Sequence, residues 1–161
     1  MKKILANTRK VRFQDCDPFN HLNNAKYLDY FINAREDQLL EDYGLDVFGL
    51  MDTQKLGWVI SSHQIGYLRP AAAMESIRIE TQLISFDSRA LVVEMRMYDE
   101  QQTRLKALCW TRFNHFDIAR QKPVEHSEEL IQLFSQVLLP VEQQNFEERR
   151  AHINQQKKEA K

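Results

Sequence analysis

The chain has 161 residues, 43 % of them apolar, with 22 lysines and arginines against 23 aspartates and glutamates for a formal net charge of −1. That size suits one domain with its own core, and the apolar fraction excludes a disordered composition. The near-neutral balance gives no electrostatic footprint for nucleic acid or for an anionic membrane surface. After the basic start Met1-Lys2-Lys3, the apolar run Ile4-Leu5-Ala6 is too short for a secretory leader. No stretch approaches the ~20 apolar residues of a membrane span. The expectation is a cytoplasmic protein whose cysteines, Cys16 and Cys109, are reduced thiols and not a disulfide.

In chain order, Thr8 to Gln14 alternates weakly and suits a short strand. A helix is expected from about Asn24 to Tyr43, with Gly44 as its stop signal. Its polar residues Lys26, Asp29 and Asn33 form one narrow stripe, so most of its circumference should be buried by something wrapped around it. Trp58 to Leu68 reads as a strand halted by Arg69-Pro70. Ile77 to Leu83 and Leu91 to Met97 alternate with period two, separated by the turn Ser85-Phe86-Asp87-Ser88. After the polar turn Asp99 to Gln102, Leu105 to Phe116 is the longest strand, with Ala107, Cys109, Thr111 and Phe113 on one face and Lys106 and Arg112 on the other. Ser127 is an N-cap for a second helix that ends before Pro140, and Glu142 to Lys161 is a solvated helix or tail without chemistry. The order predicts an α+β fold in which four strands form an antiparallel meander curled around one long helix. The domain is expected over residues 1–138, with a charged tail over 139–161.

Chemistry concentrates in Asp15-Cys16-Asp17-Pro18-Phe19-Asn20-His21-Leu22-Asn23-Asn24-Ala25-Lys26-Tyr27. It holds two carboxylates, an imidazole and two amides just before a helix N-terminus, where unpaired backbone N–H groups and the dipole favour negative charge. Asp17 is the candidate base or nucleophile, His21 its neighbour, and the Asn24 N–H a candidate oxyanion donor. Asp15, Asn23 and Asn24 are equally residues that cap helices and shape turns. Tyr27 reads as core or as the border of a pocket. His63, mid-strand, reads as a hydrogen-bonded structural histidine. No His/Cys/carboxylate spacing suggests a metal, and with four glycines no glycine-rich phosphate loop is available.

The pattern Asp15-x-Asp17-(x)3-His21-x-Asn23-Asn24-(x)2-Tyr27-(x)2-Tyr30-Phe31-(x)2-Ala34-Arg35, with Tyr67-Leu68-Arg69-Pro70-Ala71, resembles hotdog-fold acyl-CoA thioesterases. The likeness is to their hydroxybenzoyl-CoA thioesterase-like branch, and in His21-Leu22-Asn23-Asn24 to acyl-ACP thioesterases. It implies a hotdog fold, with a curved antiparallel sheet around one central helix. It also implies hydrolysis of a thioester to a carboxylic acid and free coenzyme A, with coenzyme A as part of the substrate and no cofactor. Carried over by residue, Asp17, the Asn24 N–H and His21 are the catalytic set, with Asn23 and Tyr27 toward the substrate. Phe19 stands where the acyl-ACP enzymes have asparagine, and Asn24 where some bacterial members have histidine. An acyl carrier protein as partner, or a non-catalytic acyl-thioester binder, stay open as alternatives. A homodimer or homotetramer is expected, since one curled sheet leaves a free edge.

Overall fold

The computed structural model describes residues 1–159; the last two residues of the expected charged tail, Ala160 and Lys161, lie outside it. Strand β1 (Ile4–Lys10) leads through a 3₁₀ turn and a loop into helix α1 (Tyr27–Tyr43), which is followed by the short helix α2 (Val47–Gln54). Strands β2 (Leu56–Tyr67), β3 (Ser76–Phe86), β4 (Ala90–Asp99) and β5 (Leu105–Asp117) come next, and a two-residue strand β6 (Lys122–Pro123) extends β5. Helices α3 (Glu128–Val137) and α4 (Phe146–Glu159) close the chain.

The sheet is wholly antiparallel, in the order β1-β3-β4-β5-β2, with β6 beside β5. The expected four-strand meander therefore holds for β3, β4 and β5 but not for β2, which pairs with β5 and leaves its other edge free. Nothing local in β2 distinguishes a partner, because period-two alternation is the same beside any strand. The first strand also lies earlier than its expected span of 8–14. Pairing with β3 runs from Ile4 opposite Gln82 to Lys10 opposite Ser76, and Phe13–Asp15 turn instead of extending.

One face of the sheet packs on α1. Phe31, Ala34, Ile77, Ile79, Val93, Met95, Met97, Ala107 and Cys109 form its buried core. The central helix is buried along one face (Tyr27, Phe31, Ala34, Arg35 and Gln38), while Asp29, Asn33, Asp37 and Leu40 remain exposed. Arg35 and Gln38 are tied down by Thr81, whose hydroxyl accepts from the Arg35 guanidinium at 2.9 Å and donates to Gln38 Oε1 at 2.5 Å. Gly44 ends the helix at φ 65°, a left-handed conformation that costs glycine little, and Leu45 N–H returns to the Leu39 carbonyl at 3.0 Å.

The opposite face of the sheet departs from its expected solvation. Helix α4 lies on it through Phe146, which is 2 % exposed and packs with Ile84, Leu108 and Trp110. Glu94, fully buried, accepts from Trp110 Nε1 at 2.8 Å, from Arg96 at 2.6 Å and from two nitrogens of Arg149, each at 2.9 Å. The segment read as a solvated helix or tail is thus a helix, and one anchored on the sheet rather than solvated all round.

A candidate active site at the head of the central helix

The motif folds as a compact loop because its backbone is bonded at nearly every step. Asp17 N–H donates to the His21 carbonyl at 2.8 Å, Leu22 N–H to Ala71 at 2.8 Å, and Asn23 N–H to Asp15 at 2.9 Å. Asn20 takes the left-handed φ of 63° that asparagine tolerates, which reverses the chain between Asp17 and His21. Tyr30, one turn into α1, donates its hydroxyl to Asp15 Oδ2 at 2.8 Å and accepts the Arg12 N–H at 2.9 Å. Asp15 therefore serves the loop's geometry.

Asp17 has one oxygen occupied and one open. Its Oδ1 accepts the N–H groups of Phe19 at 2.9 Å and His21 at 3.2 Å, which fixes the carboxylate, while Oδ2 meets no donor among the described residues. Asn23, at φ −61° and ψ 134°, is the N-cap of a 3₁₀ turn over Asn24–Lys26 that runs into α1, and its side chain accepts from Ala25 N–H at 3.0 Å. The Asn24 N–H has no acceptor among the described residues. Asp17, His21, Asn24 and Tyr27 line one open cleft, closed on its far side by Tyr67, Leu68, Arg69 and Pro70 at the end of β2. Four of the five expected site residues are brought together in this way. Asn23 is not among the lining residues, because its side chain is the cap.

Tyr67 is the lining residue that sequence reasoning passed over. Its hydroxyl donates to the Asn24 carbonyl at 2.9 Å, and its ring meets Tyr27 edge-on at 5.1 Å. That bond ties the helix head to the strand end while leaving the Asn24 N–H open. A tyrosine at a strand terminus just before Arg-Pro was the available signal, and only the packing of β2 against the helix head reveals its use. Below the cleft, Lys106 donates to the Pro70 carbonyl at 2.9 Å and pairs with Glu75 at 2.8 Å, holding the crossing segment in place.

The thiols are poor nucleophiles. Burial, together with the carboxylates of Asp15 and Asp17, raises the Cys16 thiol above its ordinary range, and burial pushes Cys109 up to about 11. Both are free cysteines. Burial also raises Tyr27, which keeps its phenol protonated while it accepts the Ala71 N–H at 3.3 Å. His63 lies apart from the cleft, its Nδ1 2.8 Å from the Thr111 hydroxyl and its pKa lowered by burial. Among the described residues no group of three His, Cys, Asp or Glu is placed to hold a metal ion, and no helix is long and apolar enough to cross a membrane.

A second recess lies between α1, α2 and the sheet. Ile32, Leu39, Phe48, Met51, Trp58 and Phe113 are among its lining residues, and it is predominantly apolar.

Residues 11–134 match the family model of the thioesterase-like superfamily. The long-chain acyl-CoA thioesterase FadM of Escherichia coli is 27 % identical over 129 residues, which are 80 % of this chain and 96 % of FadM. The crystal structure of the probable thioesterase YbaW from Escherichia coli superposes with a TM-score of 0.70 at 27 % identity, covering 84 % of this chain and 99 % of that one. The DHNA-CoA thioesterase of Staphylococcus aureus shares the fold at 15 % identity, with a TM-score of 0.76 over 83 % of this chain and 90 % of its own. The curled sheet around α1 and the family match together place this chain in the thioesterase-like superfamily, as a hotdog-fold thioester hydrolase.

Proposed function

We propose that the protein hydrolyses acyl-CoA thioesters to a carboxylic acid and free coenzyme A, with the cleft around Asp17 and Asn24 as its active site. The observation that supports this most is that Asp17, whose fixed carboxylate keeps one oxygen open, and Asn24, whose helix-head N–H has no acceptor among the described residues, line the same cleft. In this reading the Asn24 N–H donates to the carbonyl oxygen as it gains charge, a contribution of typically ~10²–10³ in rate. Asp17 Oδ2 is the reacting oxygen, either taking a proton from the attacking water or adding to the carbonyl itself. In single-turnover hydrolysis in ¹⁸O-water, label in Asp17 identifies the second route, since only an anhydride opened by water at the Asp17 carbonyl places it there. His21 borders the same space and orients the water. The leaving thiol, with a pKa of ~8.5, departs without an acid. The reading needs no cofactor.

The acyl group in this reading is a long aliphatic chain. The apolar recess beside α1 offers the surface such a chain requires, beginning at Ile32, about 12 Å along the helix from Asn24 at 1.5 Å per residue. The long-chain acyl-CoA thioesterase FadM points the same way. We further propose that two copies pair through the free edge of β2, where Val59 and Ile60 are 43 % and 42 % exposed.

The test is thiol release from short, long and aromatic acyl-CoAs by the wild type and by Asp17→Ala. The expected result is turnover that favours long chains and falls by ~10²–10⁴ in the variant. An Asp17→Ala protein as active as the wild type would sink the proposal. Saturable acyl-CoA binding without any turnover would identify a binder instead.

A further inference from the structure

Helix α4 lines a recess that shares three residues with the cleft. Tyr67, Leu68 and Arg69 line the cleft and also that recess, which is distinct from the apolar one, together with Arg150 and Asn154 of α4. The two spaces therefore adjoin across the end of β2. The recess carries two guanidinium groups. That of Arg69 pairs with no carboxylate among the described residues, while Arg150 pairs at 2.8 Å with Glu147, one turn back on its own helix. That pair is solvent-exposed, 46 % and 68 % on the two side chains, so it is weak and readily exchanged for a more highly charged anion.

The position of Arg150 is built, not incidental. Its aliphatic stem runs over Gly66, where a Cβ would stand 3.0 Å from Arg150 Cδ and 3.6 Å from Phe146 Cζ. The glycine lets the helix approach this closely. On the preceding residues, Phe146 is sunk in the outer core and Arg149 is bonded twice to buried Glu94, so the helix is fixed at the turn that presents Arg150. The family match stops at residue 134, before α4, so this side of the recess lies outside the matched segment.

We propose that Arg69, Arg150 and Asn154 form a phosphate subsite for the carrier half of the thioester, with α4 serving as part of the substrate-binding surface. The chemistry recognised is a phosphate ester or diphosphate tethered to a thioester that reaches Asp17. Guanidinium groups meet such oxygens with charge-assisted, often paired hydrogen bonds. The proposal rests on the thioesterase reading above.

The test is steady-state kinetics on wild type, Arg150→Met and Arg150→Glu. Methionine keeps an apolar stem over Gly66 while removing the charge, and thermal melting confirms that the fold is retained. Each variant is assayed with acyl-CoA, with the same acyl group on pantetheine, which has no phosphate, and on an acyl carrier protein. For acyl-CoA, Arg150→Met should raise KM about five- to tenfold with little change in kcat, and Arg150→Glu should raise it further. Calorimetry with free coenzyme A should show the same loss in affinity. KM for acyl-pantetheine should not move. A rise with acyl-CoA but not with the carrier-bound substrate assigns the subsite to the nucleotide phosphates of coenzyme A, and a rise with both assigns it to the phosphate next to pantetheine, which both substrates carry. Equal rises with acyl-pantetheine, or none with any substrate, overturn the subsite. A wild type that releases thiol from no substrate defeats the thioesterase reading itself, an outcome distinct from either.

Discussion

At the scale of the residue, the proposed site leaves two groups without partners in a loop whose backbone is otherwise largely bonded. Asp17 commits Oδ1 to two backbone donors and keeps Oδ2 open, and Asn23 spends its side chain on Ala25 so that the N–H of Asn24 stays open. The backbone donor can be tested directly. Asn24 is the first residue of the turn, where proline is tolerated, and Asn23 already has the extended ψ that precedes a proline. Asn24→Pro should therefore keep the melting temperature of the wild type and lower kcat by ~10²–10³, whereas Asn24→Ala, which retains the N–H, should keep most of the activity. Tyr30→Phe removes the hydroxyl that links Asp15 to the Arg12 amide, and should cost about 1 kcal/mol in denaturant melts while lowering kcat through a looser loop. The motif was readable because its bonds are local: most join residues within a few positions of each other. Tyr67 was not readable as a site residue, because it reaches the helix head from more than forty positions away.

At the scale of the element, helices α2 and α4 show where pattern and outcome separate. Ser127 and Gly44 are strong local signals, and the structure uses both, with Ser127 Oγ accepting from Leu130 N–H at 3.3 Å. Helix α2 spans only eight residues between left-handed Gly44 and Lys55, too short for an apolar period to stand out. Its Phe48 and Met51 line the apolar recess. Met51→Glu should raise KM for long-chain acyl-CoA well above its effect on short-chain substrates, read from the same panel. In α4, Arg149→Ala would leave Glu94 buried with only Arg96 and Trp110 as partners. Chemical denaturation should register a loss of about 2–4 kcal/mol.

At the scale of the whole molecule, the free edge of β2 is the proposed contact between copies, and a buried imidazole pair sets the expected pH response. Charging the edge with Val59→Lys and Ile60→Lys should convert a dimer into a monomer by light scattering, with each subunit still folded. Beside β2, the rings of Trp58, His115 and His126 stack, His115 lying 4.8 Å from Trp58 and 5.0 Å from His126. Trp58 Nε1 donates to His126 Nε2 at 3.3 Å, which requires that nitrogen to be unprotonated. Burial holds both histidines below their ordinary value of 6.5. As pH falls through about 6.5 the unfolded chain takes up protons that the folded chain refuses, so this stabilising difference is full above that pH and lost below it. Melting temperature should drop between pH 7 and pH 5, and His126→Gln should flatten the drop.

The amino-acid order alone carried the existence of the main strands, the long central helix, the N-cap at Ser127 and the polar loop from Asp15 to Tyr27. Capping, turn formation and alternation depend on near neighbours, so a single chain displays them. Three matters waited for the folded molecule: β2 pairing with β5 rather than β3, the polar faces of β4 and β5 closing under α4, and the end of β2 meeting the helix head. Each is a contact between distant segments, selected by which surfaces fit when the whole sheet closes on its helix. Glu94 shows the reason most plainly: its alternating position in β4 reads as solvent-facing, and its burial draws on Arg149, 55 residues later, together with Arg96 and Trp110.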